Sequence, residues 1–158
     1  MDKEFFDSMN SDVAWWTNLV PPAAPSDADV ATYKQFIVGP NVLLLGSTKE
    51  LLDLATVAYD LHPKYDNPKI FDRNWITVDS TFDTIIGDGV FVFDEQFNFD
   101  IVELVSKHCK RFIVRSFVYP PVWPARYAKV FPKKEDFEIE PTVIKSTATY
   151  IFFMWDFE

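Results

Sequence analysis

The chain has 158 residues, of which 48% are hydrophobic and 17% aromatic, with four glycines; this supplies one sizeable core and excludes a disordered or low-complexity protein. Acidic residues number 24 against 15 basic ones, a net charge of −9, and such a field repels phosphate backbones and anionic surfaces, so bare nucleic acid and membranes are not expected as partners. Cys109 is the only cysteine, which excludes an intramolecular disulfide and a cysteine-based zinc site and fits a reducing, cytoplasmic setting.

The opening decapeptide MDKEFFDSMN lacks the basic and apolar regions of an export signal, and no apolar run reaches the roughly 18 residues that span a bilayer. Phe5, Phe6, Met9, Val13, Trp16 and Val20 recur at three- or four-residue steps, which predicts a helix over residues 3 to 20. Prolines end it. Ser26-Asp27 then precedes a second helical period, Val30, Tyr33, Phe36 and Ile37, closed by Gly39-Pro40. Residues 1–39 thus read as N-terminal helices.

From residue 40 the pattern changes to short apolar runs: NVLLLG, TVAYDLHP, WITVD, FDTIIGDGVFVF and RFIVRSFVYP. Strands that are apolar on successive residues are covered on both faces, as in parallel sheets. Helices are expected between them, most clearly over Ser47 to Ala55 and Phe97 to His108. The alternation predicts an α/β fold, a Rossmann-like doubly wound, mostly parallel sheet carried by residues 40–120. FEIEPTVIKS and ATYIFFMWDF leave no room for a helix between them, so residues 121–158 are expected to end in an antiparallel hairpin, its first strand made irregular by Pro141. The whole chain, 1–158, reads as a single domain.

In such a sheet, ligands bind beyond the carboxyl ends of the strands, where the strand order reverses. Gly46, Ser47 and Thr48 follow the first strand. Gly46 can let a ligand approach the backbone, while Ser47 and Glu50 have the spacing of a capping box, so the turn can also be a plain strand-to-helix joint. Asp60 and Leu61 end the second strand, about 15 residues beyond Gly46, near the place where nucleotide-binding sheets put an acid against ribose hydroxyls. Asn74 and Trp75 lie by the third, and Asp88 stands between Gly87 and Gly89 after the fourth, where it is either a presented carboxylate or an Asp-Gly turn. Tyr119 follows the fifth. His62 and His108 have no carboxylate or second histidine at ligand spacing, so no metal site is expected.

Taken in order, VLLLGSTKEL, VAYDLHP, NWITVD, FDTIIGDG and RFIVRSFVYP resemble the successive motifs of class I S-adenosylmethionine-dependent methyltransferases. The resemblance implies S-adenosylmethionine (SAM) as cofactor, with Gly46, Ser47 and Thr48 passing its methionine part, Asp60 holding the ribose and Leu61 packing on the adenine. It implies that Asn74 and Trp75 flank the adenine edge and that Asp88 lies near the amino group or the transferred methyl. Asp88 and Tyr119 are then the catalytic candidates. The chain departs from the family pattern in having one glycine in the first motif and Asn74-Trp75 in place of an Asp-Trp pair. The leading expectation is a methyltransferase acting on a small-molecule acceptor, alone or as a homodimer. The alternatives are a non-catalytic or partner-dependent subunit of the same fold and an enzyme that cleaves SAM.

Overall fold

The structure, a computed structural model, describes residues 21, 23–61, 66–91, 95–118 and 131–157. The helix expected over residues 3 to 20, with Trp15 and Trp16, lies outside them, as do His62 and Tyr119. Among the described residues seven strands form one sheet: β1 (Val42–Leu45), β2 (Val57–Asp60), β3 (Ile70–Asp72), β4 (Phe82–Ile86), β5 (Cys109–Phe117), β6 (Thr142–Ser146) and β7 (Tyr150–Asp156). Their spatial order is β3-β2-β1-β4-β5-β7-β6. The first five are parallel, and β7 runs antiparallel between β5 and β6. The fold is therefore Rossmann-like, doubly wound and mostly parallel, with a C-terminal antiparallel hairpin.

The apolar runs explain the strands. All four residues of β1 are buried, Leu43 and Leu45 toward one face and Val42 and Leu44 toward the other. Both faces exclude water, so no polar alternation is needed. Helix α1 (Asp27–Phe36) covers one face. It starts at a capping box in which the Asp29 backbone N–H donates to Ser26 Oγ and the Ser26 N–H donates to the Asp29 carboxylate. Helix α2 (Glu95–Ser106) covers the other face with Phe97, Ile101, Val102 and Val105. On that face Trp155 sits among the rings of Phe91, Phe112, Phe137 and Phe153, with centroids 5.1–6.0 Å away. Its indole N–H donates to the Ile139 carbonyl at 2.7 Å. No helix among the described residues is long and apolar enough to cross a membrane.

Two local expectations are corrected. The helix expected over Ser47 to Ala55 is one short 3₁₀ segment, Lys49–Leu54, entered at Thr48 without a side-chain cap. WITVD is not a strand either: Trp75–Thr77 forms a 3₁₀ turn capped by the Asn74 side chain, and the third strand is Ile70–Asp72. In both places an apolar run satisfies its burial through single side chains rather than through a regular element. The hairpin agrees with the expectation, including the irregularity near Pro141, as β6 begins just after that residue and its register shifts between Val143 and Lys145.

Cys109 opens β5 with its thiol donating to the Val105 carbonyl, and burial pushes its pKa up to about 12. The folded chain is therefore expected to leave Ellman's reagent unreacted, whereas unfolding in guanidinium should release one thiol equivalent. Rapid reaction of the folded protein would contradict the packing of α2 on β5.

Candidate functional site

The strand order reverses between β1 and β4, so the carboxyl ends of these two strands define the crevice of the sheet. Gly46 directly follows β1 with φ +97°, a conformation that disfavours any side chain. Its N–H donates to the Tyr59 carbonyl at 2.8 Å. Among the described residues, a Cβ built there would meet nothing nearer than Trp75 Cζ2 at 3.9 Å, which leaves them no obstacle to close approach. The same Tyr59 carbonyl accepts the Trp75 indole N–H at 3.0 Å. One carbonyl thus joins the turn after β1, the end of β2 and the turn after β3.

Ser47 does not cap a helix. Its hydroxyl is buried and donates to Asp60 Oδ2. This corrects the Ser47–Glu50 capping box: the serine is spent on the next strand, and the short segment that follows offers no helix terminus worth capping. Asp60 itself is only 3% exposed at the end of β2. Thr48 and Leu61 are half-buried beside these two residues. Asn74 is buried, with its side-chain oxygen accepting the Ile76 N–H at 3.0 Å. Gly46, Ser47, Asp60, Asn74 and Trp75, far apart in sequence, therefore meet at one end of the sheet.

Asp88 belongs to a second constellation. The turn Gly87–Gly89 is held to β5 by Gly87 N–H to the Ile113 carbonyl and Gly89 N–H to the Arg115 carbonyl, each at 2.9 Å. Asp88 Oδ1 accepts from Tyr33 Oη at 2.6 Å and from Arg115 Nε at 2.8 Å, while Oδ2 accepts from Arg115 Nη2 at 3.0 Å. The Arg115 side chain is 0% exposed. It also donates to the Ala23 carbonyl at 2.9 Å, lies 3.5 Å from Asp29 Oδ2, and packs over the rings of Phe117 and Tyr150 at 5.1 and 5.2 Å. Lys145 Nζ is 3.8 Å from Asp29 Oδ1, so two carboxylates face two cations.

Burial opposes the charge on Arg115, but the Asp88 carboxylate beside it more than offsets that, so the guanidinium stays protonated. Burial, then the Asp88 charge, raises Tyr33 well above the ordinary phenol range, which keeps it a donor. Burial and a hydrogen bond to Asp29 push Tyr150 up to about 12. From the sequence, Asp88 is either a presented carboxylate or part of a plain Asp-Gly turn. Its carboxylate is in fact turned toward α1 and clamped by Arg115.

Nothing in the sequence marks Arg115, Asp29, Tyr33 and Tyr150 as one cluster. One signal was there: an arginine inside the apolar run FIVRSFV must be paired if it is buried. Nothing local says with what, since Asp29 and Tyr33 lie about 80 residues upstream.

No protein-family model matches the chain, and no curated protein matches it in sequence. Solved structures do match in fold. Magnesium protoporphyrin IX methyltransferase (ChlM) from Synechocystis PCC 6803, crystallised with bound SAM, superposes with a TM-score of 0.61 at 13% identity over 99% of this chain and 95% of that one. TehB from Haemophilus influenzae gives 0.58 at 14% identity over 84% and 63%. DhpI, in a SAM–HEP complex, gives 0.60 at 16% identity over 98% of each chain. These likenesses show that the chain shares the fold of the three proteins.

Proposed function

We propose that the chain binds SAM across the carboxyl ends of β1 and β2 and transfers its methyl group to a small-molecule acceptor, the chain acting as one unit over residues 1–158. The observation that carries the reading is the junction of Gly46, Ser47 and Asp60 at the carboxyl ends of β1 and β2, beside the point where the strand order reverses. The donor set fits the group. Asp60 already accepts a hydroxyl, that of Ser47, which is the chemistry a ribose diol needs. Among the described residues only Trp75 comes within 4 Å of where a Gly46 Cβ would stand, and Gly46 has the backbone freedom to lie against a methionine moiety, with Ser47 and Thr48 alongside. SAM carries no phosphate, so one glycine suffices where a pyrophosphate would need several. Leu61 would then pack on the adenine, and Asn74 and Trp75 would form its edge.

When bound, SAM supplies a methyl group made electrophilic by its sulfonium. The chain's own contribution is alignment, with the crevice fixing the geometry between acceptor and methyl and so removing the entropy of encounter. Asp88 is given a holding role here, because both its oxygens are engaged by Arg115 and Tyr33. Proton removal therefore falls to an acceptor that arrives nucleophilic or to a group outside the described residues, with Tyr119 the standing proposal.

Titration calorimetry with S-adenosylhomocysteine tests the reading, with saturable binding in the micromolar range expected, roughly −8 kcal/mol. No heat and no protection against thermal unfolding would remove it. Incubation with SAM but no acceptor, followed by mass spectrometry, separates transfer from cleavage, with unchanged SAM expected.

A further inference from the structure

Beside the crevice lies a groove of about 410 Å³, within the range of small-ligand pockets, roughly 300–1,000 Å³. Phe117, Phe131, Val143, Ile151 and Phe153 form its apolar walls. Phe117 and Phe131 make an aromatic corner with centroids 5.9 Å apart. Val118 and Val143, also in the lining, are 41% and 38% exposed, whereas most large apolar groups among the described residues are buried.

The groove adjoins the Asp88–Arg115 constellation, at the turn after β4, through Phe117. That ring comes within 3.4 Å of where a Gly89 Cβ would stand, in the turn after β4, and its other contacts reach Arg115. The rim is charged unevenly. Lys133 and Lys134 stand there against Glu135, in a chain whose overall charge is −9. Lys134 reaches Glu140 only at 3.7 Å with both side chains exposed, a pair that neutralises little, and Lys133 has no ion pair among the described residues.

From this we infer that the groove holds the acceptor, and that the acceptor is a flat, apolar or aromatic molecule bearing an anionic group that Lys133 receives at the rim. The inference rests on the proposed methyl transfer for its role and on the groove alone for its chemistry.

The test uses 2-naphthoate and its neutral isostere 2-naphthamide, titrated into the full chain by tryptophan fluorescence. Naphthoate should bind with a Kd of about 1 mM or tighter and about threefold more tightly than the amide. Lys133→Gln should erase that preference and leave amide binding unchanged. Ile151→Trp, which fills the groove, should abolish binding of both while circular dichroism shows the fold retained. Failure of naphthoate to bind, or binding unaffected by either variant, overturns the inference. Running S-adenosylhomocysteine in the same samples keeps the two readings apart. If it binds and naphthoate does not, only the acceptor assignment falls; if naphthoate binds and it does not, the methyl-transfer reading falls and with it the acceptor role, leaving the groove as a ligand site of the stated chemistry. Both should bind together, and mutual exclusion would overturn the groove as the acceptor's place.

Discussion

Arg115→Met is expected to cost about 3–5 kcal/mol of unfolding free energy, because it strips the counter-charge from two buried carboxylates instead of removing a pair. A domain of this size holds roughly 5–15 kcal/mol in all. The unfolding midpoint should therefore fall by about 10 °C, at roughly 2–4 °C per kcal/mol. Asp88 loses both Arg115 contacts at 2.8 and 3.0 Å, and Asp29 loses its neighbour at 3.5 Å. Methionine fills the volume but satisfies none of the oxygens. The double variant Asp88→Asn, Arg115→Met should regain at least half of the loss, since it removes a charge along with its partner. A single variant as stable as the parent would show that the cluster does not couple α1 to the sheet.

The pH dependence of that loss has a definite sign. Burial alone would raise the Asp29 pKa, yet hydrogen bonds from Tyr150 and Ser26 and the Arg115 charge outweigh it, so its pKa lies below the ordinary carboxylate value. A carboxylate depressed in the folded state contributes its full stability above the unfolded pKa, about 3.9, and loses it as pH falls through the folded value. Removing Arg115 takes away part of this depression. The gap between parent and variant should thus be largest near neutrality and narrow as pH falls from about 5 toward 3, followed by urea unfolding at each pH.

Asp60→Ala is the second large effect, on affinity rather than on stability. A carboxylate that accepts two ribose hydroxyls contributes roughly 1.5–3 kcal/mol per hydrogen bond, so its loss should weaken S-adenosylhomocysteine binding at least about 100-fold. The alanine also leaves the Ser47 hydroxyl without its acceptor, a cost to the fold of about 1 kcal/mol. Asp60→Asn keeps an acceptor oxygen and should fall between parent and alanine. An alanine variant that binds as the parent does would remove Asp60 from the cofactor site and leave the Ser47 contact as a structural tie between two strands.

How far the sequence could be read depended on the range of the interaction involved. VLLL and FIV announce buried parallel strands because burial on both faces leaves no polar positions, and that is a property of each run alone. Helix α1 was equally legible, since a capping residue and a first-turn acid lie within three residues of one another. Ser47 shows the limit. Its spacing to Glu50 is correct for a cap, but the side chain had a stronger acceptor in Asp60, a charged oxygen brought within reach only by the pairing of β1 and β2. WITVD failed for a related reason: one large indole, bonded to the Tyr59 carbonyl, satisfies the burial that the run suggested for a strand.

By itself, then, the amino-acid order determined the α/β alternation, the hairpin end, the places of Gly46 just after β1 and Asp60 at the end of β2, and the acidic net charge. Each follows from neighbours along the chain or from sums over it. Only the tertiary structure decided the uses of the polar side chains. Asp88 could be a presented carboxylate or a clamped one, and Arg115 a misplaced charge or a buried anchor, until the sheet brought α1, β4 and β5 together. A buried charge takes its meaning from its counter-charge, and here that partner lies 27 residues away for Asp88 and 86 for Asp29.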